Sequence, residues 1–510
     1  LWPAPVRPWE CTSFALFRSF SPVRANLFTF ASGRGNRQNG SAVTTFNTPS
    51  AVNTSPRTFA VDPAAFARGR GLSPLGAGGQ PHGPGIPRSR QWKGGTADVS
   101  VDGVRSGAAM KRHAETWVAT AMVCLALVGY AGAAVARTMP PPDPGAAGSA
   151  ASLGAGLSAA TAQAVADGYP GAIAYGRQGG TVVRSASGVA DAATGEPART
   201  GDRFRIASNT KAFVATVLLQ LQAEHRIRLD DKVGKWLPSL VQGHGNDGSA
   251  ITVRELLNNT SGLYDPTTNP SFFAPYLQRH DWGYVYTPRE VVAQAVAHAP
   301  LFAPGTKWSY SNTNYLVAGM VIEAVTDRSA QDEISSRILV PLGLAHTYLP
   351  LTDPRLHGPH LHGYDLEHRD VTTFSPSYDW TAGAMVSTLD DLARFDRALF
   401  GGELLPPAEQ RELETPPRVP DADGHALGVT SSAVDCGRGR RIPVLETDGG
   451  GPGFTSISLT SKDASRQLIL VGNVFDLGKD LLNKQPVPSS TAVTIAQNAV
   501  FCTRADPGAH

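Results

Sequence analysis

No methionine precedes Met110, and the 109 residues ahead of it carry Pro, Gly, Ser and Arg without a repeating apolar pattern, as in GRGLSPLGAGGQPHGPGIPRSR. Such a segment has too little apolar surface to offset the entropy of ordering it. Residues 1–109 are therefore expected to form no core. They read as a disordered extension or as sequence upstream of a translation start at Met110, and whatever folds must lie downstream.

Met110 opens a stretch with the parts of a secretory signal peptide. Lys111 and Arg112 give a basic start, Trp117–Tyr130 is a 14-residue mostly apolar run, and Ala134, Val135 and Ala136 offer a small-residue cleavage site. The run is short for a bilayer crossing. Residues 110–136 are thus expected to direct export, with no stable membrane span. A Pro-, Gly- and Ala-rich linker is expected over 137–156, followed by a single globular domain over 157–505.

From Arg137 onward there are 31 basic and 38 acidic residues, a net of −7. That balance argues against nucleic acid or an anionic membrane as the main partner. Of the four cysteines, Cys11 and Cys124 fall in the leading segments, leaving Cys436 and Cys502. An oxidising compartment would let these two pair, although spacing alone does not bring them together. No zinc-binding spacing of Cys or His is present. The histidines at 357, 360, 362 and 368 lie among Gly and Pro and read as an exposed loop.

Within the domain, Leu157–Asp167 favours a helix, and GAIAYGRQGGTVVRSASGVAD reads as two strands turning through Gly179 and Gly180. Val214, Val217, Leu218 and Leu221 recur at helical spacing, predicting a helix over 208–224 with one buried face. Further helices are predicted over 314–325 and 389–399. GFTSISLTS and QLILVGNVF read as late strands, and a last helix is expected over 490–501. Strands at both ends of the domain enclose helices, which predicts a mixed α/β body with a helical insertion and a site at the seam.

Ser208 and Lys211 form the chain's single S-x-x-K. Residues three apart share one side of a helix, so the Lys211 amine can reach the Ser208 hydroxyl. A serine becomes a nucleophile when a neighbour takes its proton, and a desolvated lysine can be tuned for that task. About 100 residues later, Tyr310 and Asn312 stand directly before an apolar helical run.

These two motifs, together with LLNNTSGLYD, PLGLAHTYLP and TAGAMVSTLDDLARFDRAL, resemble the serine β-lactamase and D-alanyl-D-alanine carboxypeptidase superfamily, in its class C β-lactamase-like branch. The resemblance spans about residues 157–503. It implies an α/β fold of the β-lactamase/transpeptidase type, an antiparallel sheet flanked by helices with an inserted mainly helical subdomain. It makes Ser208 the acylated nucleophile, Lys211 its activating partner and Tyr310 the phenol that relays protons to the leaving group. Asn312 would hold the substrate amide. A tyrosine beside a lysine ammonium is expected to have its pKa lowered, the two groups sharing one proton.

The third family element is a strand triplet, usually K-T-G or H-x-G. Aligning the following glycines places Thr447, Asp448 and Gly449 on it, with Thr447 and Gly449 as substrate-binding positions. Thr447 cannot attract a carboxylate by charge, and a gapped alignment starting at Asp448 removes the cation equally. The NH groups of Ser208 and Gly450 would still form an oxyanion hole. The resemblance implies no cofactor and no metal.

The leading expectation is a secreted D-alanyl-D-alanine carboxypeptidase-like hydrolase acting through a Ser208 acyl-enzyme on peptidoglycan-derived peptides. An esterase or β-lactamase acting on small acyl esters or β-lactams is the alternative on the same fold. A catalytically weak penicillin- or cell-wall-binding protein is the alternative of another class. A G-x-S-x-G elbow, the mark of an α/β-hydrolase, is absent.

Overall fold

The structure, a computed structural model, describes residues 144–478 and 490–503, which belong to one compact unit. The leading low-complexity segment, the signal peptide, Cys11 and Cys124 lie outside the described residues. The first helix, α1, runs Pro144–Ala166. It therefore starts inside the segment expected to be a linker. Glycine and proline suggested a flexible tether there, but Leu153, Leu157, Ala160 and Ala164 recur on one face and are buried against the sheet.

The hairpin of β1 (Gly171–Gln178) and β2 (Thr181–Asp191) turns through Gly179, whose φ is +55°. After the short β3 (Glu196–Pro197) the chain enters helices: α2 (Thr210–Ala223), α3 (Asn312–Thr326) and α4 (Leu389–Phe400). It then returns to strands β4 (Thr430–Asp435), β5 (Arg441–Gly451), β6 (Phe454–Ser461) and β7 (Arg466–Gly472). Helix α5 (Ser490–Gln497) follows.

The seven strands form an antiparallel sheet in the order β3-β2-β1-β7-β6-β5-β4. Its centre joins the first strand of the domain to the last. Alternate residues of these central strands feed two cores. Ile173, Tyr175, Ile469 and Val471 pack toward the helical insertion, while Ala172, Ala174, Leu468 and Leu470 pack toward α1 and α5. This is why QLILVG reads as an unbroken apolar run: the strand is covered on both faces. Close approach of α1 requires Gly176, where a Cβ would lie 2.7 Å from Leu157.

Helix α2 is the hub of the insertion. It was expected to bury one face, but Thr210–Leu219 and Leu221 are all buried, because helices surround it: α3, the segments Trp380–Gly383 and Pro407–Glu414, and α4, whose Phe395 stacks on Phe213. The consequence reaches its second residue, Lys211, whose amine is carried into the interior. Cys436, just after β4, is bonded to Cys502 at the end of the last helical segment, with Cα atoms 5.2 Å apart. This tether holds the β4–β5 hairpin against the helix that packs on the sheet.

Candidate active site

Ser208 lies on a 3-10 turn, Ala207–Asn209, that feeds directly into α2. The residue before it, Ala207, has φ +45°, a left-handed conformation that costs a non-glycine residue about 1 kcal/mol or more. Packing holds the turn: Ile206 donates its NH to the Met385 carbonyl, and Asn209 donates its side-chain amide to the Ile206 carbonyl at 2.6 Å. Ser208 is thereby raised at the head of a buried helix, half-buried itself.

The hydroxyls of Ser208 and Tyr310 are 2.6 Å apart. Lys211 Nζ lies 3.0 Å from Ser208 Oγ, 2.8 Å from Asn312 Oδ1 and 2.7 Å from the Ala382 carbonyl. Donor accounting gives the polarity of the site when Lys211 is neutral. A neutral amine has two N–H donors, and the Asn312 and Ala382 oxygens are acceptors only. Once Lys211 has lost a proton, both donors are claimed there and its lone pair faces the Ser208 hydroxyl; as the ammonium it donates to Ser208 Oγ as well.

The electrostatics bring that state within reach near neutral pH. Burial pulls the Lys211 pKa down to about 8, against the opposing pull of the Asp379, Asp265 and Asp448 carboxylates. Tyr310 shifts the other way. Its ring is 40 % exposed to the cleft, yet the surrounding protein and the same three carboxylates push its hydroxyl well above the usual phenol range. The expectation of a lowered tyrosine pKa is thus corrected: removal of the hydroxyl from water dominates, and the carboxylates add to it. Tyr310 keeps its proton; with Lys211 neutral, Tyr310 donates toward Ser208, which donates toward Lys211.

Because Lys211 must be unprotonated to act as base, kcat/KM on an uncharged amide is expected to rise about tenfold per pH unit up to a midpoint near 8, then level. A pH–rate profile checks this. A midpoint near pH 10 would place the base elsewhere.

Asn312 does not present a free amide to the cleft. Its Oδ1 accepts from Lys211, its Nδ2 donates to Thr267 at 3.3 Å, and its backbone NH donates to Asp265 at 2.9 Å. In this arrangement it positions Lys211. Asp265 also caps the start of α3, where a carboxylate favours the helix dipole. Buried Asp379 adds a second acid near Lys211, its own pKa raised by burial to about 6. Neither acid was singled out from the sequence, although Asp265 ends the stretch LLNNTSGLYD.

Strand β5 closes the other side. Beyond Glu446 it no longer pairs with β4, so Thr447–Gly451 forms a free edge facing the nucleophile. Thr447 turns inward, 5 % exposed, and donates to Asn209 Oδ1 at 2.7 Å. It therefore does not reach substrate with its side chain, contrary to expectation, because strand alternation directs it into the core. Gly449 shares that inward face and is pressed against the turn: a Cβ there would lie 2.3 Å from the Ile206 carbonyl and 3.0 Å from the Ser208 nitrogen. This contact sets the β5 backbone against the Ser208 nitrogen one residue before Gly450, whose NH is the expected second donor of an oxyanion hole. Asp448, of opposite parity, faces a cavity.

The four loop histidines form no metal cluster among the described residues. His357 contacts Asp353, His362 contacts Asp370, and His360 stacks on His362. No helix among the described residues is long and apolar enough to cross a membrane.

A family model described as Beta-lactamase matches residues 157–471. Among solved structures, the chain is similar to a D-stereospecific amidohydrolase from Streptomyces sp., at 38% identity and TM-score 0.58, covering 65% of this chain and 99% of that one. It is also similar to the D-amino acid amidase from Ochrobactrum anthropi SV3 complexed with D-phenylalanine, at 27% identity and TM-score 0.56, covering 68% and 98%. A sequence relative is Penicillin-binding protein 4* of Bacillus subtilis (strain 168), 24% identical over 325 residues, 60% of this chain and 68% of that protein.

Proposed function

We propose that this chain, which belongs to the Beta-lactamase family, is a serine hydrolase that cleaves amides of D-amino acids through an acyl-enzyme on Ser208. The observation that carries this reading is Thr447. At the strand position where a cation would meet a substrate carboxylate, a neutral side chain is turned into the core and occupied by Asn209. Hydrolysis of D-alanyl-D-alanine peptides of peptidoglycan needs a partner for the terminal carboxylate, and Thr447 supplies none. An amide without that carboxylate needs none. The D-amino-acid class follows from similarity to the two amide hydrolases.

In the first half-reaction Lys211 takes the Ser208 proton as Oγ attacks the carbonyl carbon, and the oxyanion is met by the NH groups of Ser208 and Gly450. The C–N bond breaks as Tyr310 gives its proton to the leaving nitrogen. The Lys211 ammonium, 4.8 Å from the Tyr310 ring centre, restores that proton. Water then attacks the ester carbonyl, gives up a proton to the same relay and frees the acid. Action after export is part of the proposal: the Met110–Ala136 stretch and the Cys436–Cys502 bond both suit an oxidising compartment.

The test is turnover of D-phenylalanine amide, L-phenylalanine amide and a D-alanyl-D-alanine peptide by the wild type and Ser208→Ala. The D-amide is expected to lead the free-carboxylate peptide by about 100-fold in kcat/KM, with Ser208→Ala inactive on all three. Faster cleavage of the peptide would return the carboxypeptidase reading to first place.

A further inference from the structure

The side of the site toward which a leaving group departs is set by its proton donor. Tyr310 is that donor, and the two residues before it, Trp308 and Ser309, line a cavity of about 960 Å³ that continues to Asp448, Gly449 and Gly450 on the free edge of β5. Trp308 stacks on His425, ring centres 4.4 Å apart, and among the described residues its Nε1 is buried without a hydrogen-bond partner. The cavity is acidic. Asp421, Asp423, Glu446 and Asp448 line it, and among the described residues the lining includes neither lysine nor arginine.

From this juxtaposition we propose that the cavity bounded by Trp308, His425 and Asp448 is the leaving-group subsite, and that Asp448 selects amine portions carrying a positive charge against those carrying a carboxylate. The inference rests on the amide-hydrolase reading and names the substrate class it prefers: amides whose nitrogen substituent ends in an ammonium or a basic side chain.

Three features support it beyond the acid count. Asp448 directly precedes Gly449, whose backbone is pressed against the Ser208 turn, and its charge acts on both Lys211 and Tyr310. Glu446 is held up near pKa 7 by burial and by the charge of Asp448, the condition of neighbouring acids lacking a cation between them. The aromatic wall of Trp308 and His425 offers a face on which a cation or its alkyl stem can rest. His425 does not neutralise the pocket, since its pKa is lowered by burial. Even an uncharged alkylamide releases an amine that takes up a further proton from water at neutral pH, so the acids also suit the product.

Three D-phenylalanine amides of matched length test the proposal, with leaving portions of propylamine, 1,3-diaminopropane and β-alanine. Wild-type kcat/KM is expected to fall in the order cationic, neutral, anionic, with about tenfold between steps. In Asp448→Asn the cationic-to-anionic ratio should shrink about tenfold or more, and Asp448→Glu should retain the order. Equal rates across the series, or an unchanged ratio in Asp448→Asn, would overturn it. Calorimetric binding of the same amides to Ser208→Ala separates the two readings. Amides that are inert but ranked by charge in affinity overturn the amidase reading alone. Amides that are turned over yet unranked overturn the subsite. Amides both inert and unranked overturn both.

Discussion

Replacing Lys211 with methionine is expected to lower kcat/KM by about three to four orders of magnitude while leaving the protein folded. Methionine matches the length of the lysine stem and fills the same slot without a charge, in a helix position that is only 4 % exposed. The substitution removes the lone pair facing Ser208 and leaves the Asn312 and Ala382 oxygens without their donor. Two unpaired acceptors cost on the order of 1–3 kcal/mol each, partly offset because a buried cation need no longer be desolvated. The measurement is kcat/KM across pH, with thermal unfolding as the control for folding. The wild-type limb near pH 8 should vanish in the variant. Retained activity with the same limb would assign the base to another group.

A second large effect is expected at Gly449, which carries no chemistry of its own. Gly449→Ala puts a methyl 2.3 Å from the Ile206 carbonyl, an approach real Cβ atoms do not make, and 2.8 Å from the Asn209 amide. Neither neighbour is a flexible tip: one is backbone, and the other is fixed by bonds to Ile206, Thr447 and Ser456. β5 must therefore move away from the Ser208 turn, taking the Gly450 NH with it. Loss of one oxyanion donor costs about 100- to 1,000-fold in kcat. The variant should show that loss together with slowed fluorophosphonate labelling of Ser208. Activity within about tenfold of wild type would mean that the strand edge does not build the hole.

What the sequence made legible follows the range of the forces involved. Ser208 and Lys211 are related by one helical turn, and Tyr310 and Asn312 by adjacency to a helix start, so local spacing was enough to find them. The sheet hairpin at Gly179 is equally local. Asp379 and the Ala382 carbonyl, by contrast, reach Lys211 only because the 379–383 segment packs on α2, and no spacing encodes that. A backbone carbonyl has no sequence signature at all. The inward turn of Thr447 was half-legible: strand parity sets it opposite to Asp448, but which parity faces the core depends on how β5 lies against Asn209. The tether expected before residue 157 failed for a different reason. Its glycines lower helix propensity, yet Leu153 and Leu157 gain burial on a sheet whose partner strands lie hundreds of residues away.

The pairing of β1 with β7 fixes when, during the life of a molecule, this chemistry can begin. Tyr175 faces Ile469 and Ala172 faces Gly472 across some 300 residues of sequence. Such separation makes closure of the sheet a late and slow event in folding. The oxyanion edge of β5 is held by β6, and β6 by β7. A chain emerging from a ribosome or a translocation pore thus carries its serine and lysine long before it carries a working site. Hydrolytic reactivity is withheld until the last strand has joined the first, so the unfinished polypeptide is unarmed.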